Sequence, residues 1–292
     1  MRIVFRADDI GYSEFSNRGA FKAIDEGVVT HAEIMSDTPG AVDAMEFMRE
    51  RPWISVGWHA HFWGNPVAGA QRVPSLVGTN GRFKTDPATH RPDMEGWNID
   101  ELIEECRAQV EKFIRYMGRV PDTADLGPGL IGKIKKQVCD EYGVVCNHIS
   151  YWHYGPGTIP GHMEGPNCNP NLDHRFAGRK IYEYENFGRP GLILEDYLKY
   201  DPLDMIKTMP ESENIWVRSS HPGWVCDYIW KDTWDNCSIT RCQDAEVLYS
   251  DELKEWLQEN HVELINLRDA LYGSCEYQNH LKATGSELYA GK

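Results

Sequence analysis

Met1-Arg-Ile-Val-Phe-Arg-Ala-Asp-Asp-Ile-Gly-Tyr12 begins as an apolar run and ends in two adjacent carboxylates followed by a glycine. Ile3 and Phe5, with Val4 between them, read as a short buried strand. In α/β sheets the ligand crevice lies at the carboxyl ends of the strands, so Asp8 and Asp9 placed there face a substrate rather than the core. Successive residues of a strand point to opposite faces, which gives the two acids different surroundings. One is suited to holding a metal and the other to taking a proton. An acidic turn with nothing near it would be a solvated loop, so the assignment depends on what the rest of the chain brings to the same place.

Moving outward, the chain alternates between the helical and strand periods. Ser16 to Glu26 carries Ala20, Phe21 and Ile24 at helical spacing and is closed by Gly27. Val28 to Met35 reads as a second strand, Pro39 to Arg51 as a helix stopped by Pro52, and Ile54 to His59 as a third strand. The first sixty residues therefore spell β-α-β-α-β, whose right-handed crossovers make neighbouring strands parallel. A Gly-, Pro- and Asn-rich insertion at about 62–97 follows the third strand and should overhang the site. The alternation resumes with a helix from Asp100 to Tyr116, capped by Asn98 or Asp100, a weak strand at Val120 to Leu126, a helix at Leu130 to Tyr142 and a strand at Val144 to Ser150. After a second long loop at about 151–179 come a strand at Ile181 to Asn186, helices at Leu194 to Lys199 and Pro202 to Met209, and a strand at Ile215 to Ser219. A helix at Asp244 to Asn260 and a strand at Val262 to Leu267 end the pattern. No linker or repeat divides the chain. The expectation is an α/β fold: a single (β/α) barrel over residues 1–292, distorted or built of seven to eight strands, with a doubly wound open sheet as the alternative.

Composition narrows the partners. The 292 residues carry a net charge of −15, which argues against nucleic acid or an anionic membrane surface, because phosphate binding needs a basic patch. No stretch approaches the roughly 20 apolar residues that span a bilayer, and the N-terminus enters a strand directly without an apolar signal core. Eight cysteines are scattered without a Cys-X-X-Cys pair, so neither a zinc knuckle nor a disulfide framework is indicated. A cytoplasmic location is expected, and a homo-oligomer is compatible with the sequence.

Three strand ends carry the ionisable groups: Asp8 and Asp9 after the first, His59 and His61 after the third, and His221 after the penultimate. In Gly57-Trp-His-Ala-His61 the imidazoles stand at i and i+2, so on a strand both face one side and suit a single divalent ion. One carboxylate with neutral imidazoles favours zinc or another transition metal, with magnesium a weaker fit. Such an ion would supply what amide or ester hydrolysis requires at neutral pH. Trp58, Trp63, Trp97, Trp152, Trp224, Trp230 and Trp234 lie in or beside the loops expected to rim the site, and their ring faces suit pyranose sugars.

Ala7-Asp8-Asp9-Ile10-Gly11 is similar to the Ala-Asp-Asp-Phe-Gly opening of the YdjC-like carbohydrate deacetylases, which include the chitooligosaccharide deacetylases. Ser13 and Asn17-Arg18-Gly19 are also in place, Gly57-Trp58-His59-Ala60-His61 resembles the family's Gly-Leu-His-Leu-Asn segment, and His221-Pro222-Gly223 matches its His-Pro-Gly motif, followed by Arg241 and Glu246 at family-like spacing. The resemblance spans nearly the whole chain. It implies a metal-dependent hydrolase that removes an acetyl group from an N-acetylated sugar or oligosaccharide. By carry-over, Asp9 and His59 are metal ligands, Asp8 is the general base and His221 is the acid that protonates the leaving amine. Arg241 orients a carboxylate, contacts substrate or forms a surface salt bridge, and from their place in the loops Trp58, Trp63 and Trp224 are the candidate sugar-binding aromatics. One departure stands out. Where the family has Asp-Ser-His-X-His, this chain has Thr123-Ala-Asp-Leu-Gly-Pro128, so the third ligand is expected to be His61, with Asp125 as the substitute. A carbohydrate-binding protein with a degenerate metal site and a barrel sugar isomerase or epimerase are the other classes open to this sequence.

Overall fold

The computed structural model describes residues 1–86, 92–126, 129–147, 162–163, 175–176, 179, 181–184, 198–225 and 238–291. Its centre is β1 (Arg2–Ile10), the longest of the described strands and buried from Ile3 onward. On one side β1 pairs with β2 (His31–Ile34), then β3 (Ser55–Trp58), β4 (Thr123–Asp125) and β5 (Val145–Asn147); on the other it pairs with β8 (Ile215–Ser220), then β7 (Ile181–Tyr184) and β6 (His162–Met163). A short β9 (Glu263–Leu264) adds to the start of β1. Every ladder is parallel except β6 with β7. The antiparallel β6 falls in the stretch at 151–179 that was expected to be loop throughout; most of that stretch lies outside the described residues, as does the helix expected at 194–199 except its last two residues.

The two faces of the sheet differ in chemistry. Ile3, Phe5, Ala7, Ala32, Ile34 and Val56 face outward and pack under α1 (Glu14–Asp25), α2 (Ala41–Arg49), α3 (Ile99–Met117) and α7 (Asp251–Glu259) through Ile24, Met45, Phe113 and Leu253. The inner face starts apolar. Val4, Ile215, Val217 and Ile181 cluster there with Leu267, Ala270 and Leu271 of α8 (Leu267–Tyr272), and Val145 of β5 packs against the same group. Strands at opposite ends of the ladder order thus share one interior, and the parallel sheet is curled into a half-barrel. Above this layer the inner face turns polar, with Arg6, Asp8, His31, Glu33, Ser55, Thr123 and Asp125 projecting inward on successive strands.

Element boundaries follow local chemistry. After α4 (Gly129–Tyr142), α5 (Pro202–Lys207) is opened by the Asp201 side chain, which accepts the amides of Leu203 and Asp204. Asn98 accepts the amides of Asp100 and Glu101 to start α3, and Gly118 ends it at φ 75°. The helix expected at 244–260 is two, α6 (Ser238–Leu248) and α7, because the Ser250 hydroxyl accepts the Leu253 amide and restarts the helix there. The expected last strand ends early: Asn266 and Asp269 form a capping box that opens α8, and α9 (Glu276–Thr284) follows. The described residues of the insertion at 62–97 are packed rather than loose, burying Phe62, Val73, Leu76 and Phe83 against the outer face of β3 and α3. No helix among the described residues is long and apolar enough to cross a membrane.

Candidate metal centre

The site is built on an irregularity in β1. Ala7 pairs with Ala32 and Ile10 with Ile34, so three steps along β1 match two along β2. The extra residue is taken up by Asp9, which adopts φ 57°, the left-handed region that Asp tolerates better than most side chains. Ala7 and Ile10 consequently both face the outer core, and the two acids between them both serve the interior. Strict alternation would have sent Asp8 and Asp9 to opposite faces, as the sequence suggested; the bulge cancels it.

Asp8 forms a two-point ion pair with Arg6, Nε to Oδ1 and Nη2 to Oδ2, each at 2.8 Å. Burial pushes its carboxyl up to about 6, against the pull of Arg6 and His59. Asp9 is the hub. Its Oδ1 lies 3.0 Å from His59 Nε2 and 3.2 Å from His61 Nε2, and its Oδ2 accepts from Arg241 Nη2 at 2.6 Å and stands 3.9 Å from His221 Nε2. Burial opposes its charge, but the Arg241 guanidinium, the His59 hydrogen bond and the nearby His61 imidazole outweigh burial and hold the carboxyl well below the usual range. The same partners act inversely on the two imidazoles. Burial would lower His59, yet Asp9, Asp8 and Glu33 raise it to about 9; His61, desolvated and beside His59, is lowered.

β3 ends at Trp58, so His59 and His61 stand beyond the strand rather than on it; the chain turns at Phe62, with φ 57°. Both imidazoles nevertheless reach one oxygen. Asp9, His59 and His61 each offer a donor atom within 4.8 Å of the others. Donors around a tetrahedral zinc, with bonds of about 2.0–2.1 Å, lie roughly 3.3 Å apart, close to the separations at Asp9 Oδ1. His61 Nε2 is buried without a well-directed hydrogen bond, as a lone pair reserved for a cation would be. Four acids (Asp8, Asp9, Glu33 and Asp125) surround the group against the two guanidiniums of Arg6 and Arg241, leaving negative charge that a dication would balance. The residues present fit a divalent ion. Asp125 lies outside this group of three: its Oδ2 is 4.0 Å from His59 Nδ1, on the other side of the ring from Nε2.

The aromatic residues divide. Trp63 stacks on His61 at 4.2 Å and on Tyr12 at 5.5 Å between ring centroids, and Arg241 lies 4.9 Å over the Tyr12 ring. Trp224 is half-buried beside Phe15, whose ring is largely exposed. Trp58 was expected at the rim and is instead fully buried on the outer face, because it pairs in register with the outward Ile34 and Ala124; its indole donates to Gln109 Oε1 at 2.9 Å. Trp97 packs on Phe62 and Phe83. Trp152, Trp230 and Trp234 lie outside the described residues. Sequence reasoning missed the polar residues below the cluster, Arg6, His31 and Glu33. Their signal was present: His31 and Glu33 stand at i and i+2 in an otherwise apolar strand.

Comparison with known proteins follows the same lines. The model of a family described as YdjC-like protein matches residues 2–259. Carbohydrate deacetylase 2 of Listeria innocua is 24% identical over 286 residues, covering 92% of this chain and 98% of its own. A carbohydrate deacetylase of Enterococcus faecalis is 27% identical over 270 residues, covering 91% and 96%. A solved structure from Enterococcus faecalis, of a protein proposed to cleave cellobiose-phosphate, superposes with a TM-score of 0.65 at 20% identity, covering 92% of this chain and 98% of that one. At that identity the likeness bears on the fold alone.

Proposed function

The chain belongs to the YdjC-like protein family, and from that premise we propose that it is a metal-dependent hydrolase removing an acetyl group from an N-acetylated sugar or oligosaccharide. The observation that carries the proposal is the convergence of Asp9, His59 and His61 on one point, with His221 3.9 Å from the far oxygen of Asp9. The names of the deacetylase relatives support the substrate class. Asp9, His59 and His61 would hold one divalent ion, and a carboxylate with two imidazoles suits zinc better than magnesium, which prefers oxygen donors. When bound, the ion polarises the acyl carbonyl and stabilises the charge that develops on it.

The chain's own side chains supply the remainder. Asp8, which faces the interior by the alternation of β1 and is fixed by Arg6, takes the proton of the attacking water. His221 gives a proton to the leaving amine from the Oδ2 side of Asp9, while the two imidazoles stand at Oδ1. Arg241, expected to orient a carboxylate or touch substrate, lies on Asp9 and orients it. Trp63 and Trp224 offer ring faces to a pyranose. We take the half-barrel as part of one distorted (β/α) barrel over residues 1–292, and place it in the cytoplasm, where the five described cysteines, all free, would stay reduced.

A second reading, a sugar-binding protein without a metal, is favoured by one contact: the Arg241 guanidinium already satisfies Asp9 Oδ2 at 2.6 Å. Elemental analysis of the purified protein, with acetate and free amine measured from a panel of N-acetylated sugars, separates the two. Stoichiometric metal with acetate release bears out the hydrolase. Sugar affinity with neither metal nor acetate would give the site to the second reading.

A further inference from the structure

Directly beneath His59 lies a carboxylate that the proposed reaction does not use. Glu33 of β2 is fully buried. Its Oε1 is held by His31 Nε2 at 2.9 Å and by the Thr123 hydroxyl at 3.4 Å, and His31 is itself anchored through Nδ1 to the Ser55 hydroxyl at 2.7 Å. Its Oε2 makes no hydrogen bond, and neither does His59 Nδ1; the two atoms face each other at 3.9 Å. The space for this carboxylate is made by the neighbouring strand. A Cβ on Gly57 would overlap the carboxyl group of Glu33, so the glycine of Gly57-Trp58-His59 is what lets an acid stand under the imidazole.

A histidine that gives one ring nitrogen to a metal almost always donates the N–H of the other to a carboxylate, carbonyl or water, which fixes its tautomer and orientation. His59 Nε2 points at the candidate metal cluster, so its Nδ1–H must find an acceptor on the opposite side of the ring. Two carboxylates are near, Glu33 at 3.9 Å and Asp125 at 4.0 Å. Glu33 is the better placed. It is shielded from water and locked through Oε1, whereas the Asp125 side chain is partly exposed, with a relative exposure of 14%.

We propose that Glu33 is the positioning residue of the site: its Oε2, 3.9 Å from His59 Nδ1, is the acceptor this N–H takes when Nε2 serves a divalent ion, with His31 and Ser55 holding it in place. This rests on the assignment of Asp9, His59 and His61 as the ligands. The same layer explains why His31 and Glu33 interrupt an apolar strand, since each belongs to one chain of contacts from Ser55 to His59.

The test separates reach from charge. Zinc affinity of the full-length protein is measured by competition with a chromophoric chelator for the wild type, Glu33→Gln, Glu33→Asp and Asp125→Asn. Glu33→Gln loses the charge but keeps an oxygen at the same distance, and should bind zinc within about threefold of the wild type. Glu33→Asp keeps the charge but withdraws the carboxylate by one methylene, and should weaken zinc binding by ~10-fold to 100-fold, the usual effect of removing a ligand's outer partner. Asp125→Asn should change it little. Glu33→Asp binding as tightly as the wild type, or Glu33→Gln losing more affinity than Glu33→Asp, would overturn the positioning role while leaving the metal site standing. A wild type that binds no zinc would instead remove the ligand assignment itself, and this inference with it.

Discussion

Asp9 occupies a left-handed backbone conformation at φ 57° that only the bulge in β1 demands. A non-glycine residue in this region costs on the order of 1–2 kcal/mol, and strain of this kind persists where the surroundings over-determine it. Here the surroundings are two imidazoles and a guanidinium around one carboxylate. Asparagine tolerates the same backbone and nearly the same shape, which permits a clean separation of fold from function. Asp9→Asn should therefore fold, melting below the wild type because the buried Arg241 loses its carboxylate partner, yet retain no stoichiometric zinc by elemental analysis; full metal content in that variant would show the ligand assignment to be wrong. Asp9→Ala should also lose the ion and melt lower than Asp9→Asn, because alanine carries the backbone strain without a polar side chain to answer it. His221 stands at the other oxygen and is not among the proposed ligands. His221→Ala should keep its zinc while turnover of an N-acetylated sugar falls ~100-fold or more, the scale of a lost general acid. Loss of zinc alongside turnover would instead make His221 a ligand.

At the scale of elements, the position of the imidazoles depends on how β3, α3 and the insertion at 62–97 are joined. Trp58 donates to Gln109 Oε1, Gln109 donates to Glu105 Oε1 at 2.8 Å, and Glu105 accepts the amides of Val67 and Ala68 at 3.0 and 2.9 Å. One buried carboxylate on α3 thus pins the insertion a few residues after His61. Burial pushes the Glu105 carboxyl up from 4.5 to about 7, against the hydrogen bonds it accepts. In an unfolded chain it would titrate near 4.5. Between those values the folded state keeps a proton that the unfolded chain has released, so this group's contribution to stability is full below about pH 4.5 and is lost as pH rises through 7, on the order of 3 kcal/mol in all. Glu105→Gln removes that dependence. The melting temperature of the variant should rise relative to the wild type between pH 5 and pH 8, since every other titrating group is common to both. A constant difference over that range would mean that Glu105 titrates normally. This linkage was beyond the sequence. The cap at Asn98 and the helix after it were legible because they are local, set by side chains within one turn. The packing of 62–97 was not, because its turn-forming residues read as loop while the contacts that order it come from α3, some forty residues on in the case of Glu105 and Val67.

For the whole molecule, the alternation of strand and helix and the three acid or imidazole strand ends were readable in order along the chain, and two of those ends meet at Asp9 with the third 3.9 Å away. What order alone could not convey was parity. One extra residue in β1 turned Asp9 inward with Asp8, and an outward register put Trp58 in the core rather than at the rim. Both are properties of neighbouring strands, not of the segment itself. The assembled interior then has an electrostatic consequence for the folded state as a unit. Its acids outnumber its guanidiniums within a chain of net charge −15, so a dication bound there should stabilise the native state against unfolding. By mass action, zinc at a hundredfold excess over its Kd adds about 2.7 kcal/mol, a rise of roughly 5 °C in Tm for a chain of this size. The unfolded chain complicates the measurement, because its 11 histidines and 8 cysteines also bind zinc and pull the melt the other way. Asp9→Asn shares every one of those unfolded-state ligands and lacks only the folded site. The informative quantity is therefore the zinc-induced shift of the wild type minus that of Asp9→Asn, expected to be positive and to vanish with a chelator in excess. A difference of zero would mean that Asp9 holds no zinc in the folded protein, and the metal centre would fall with it.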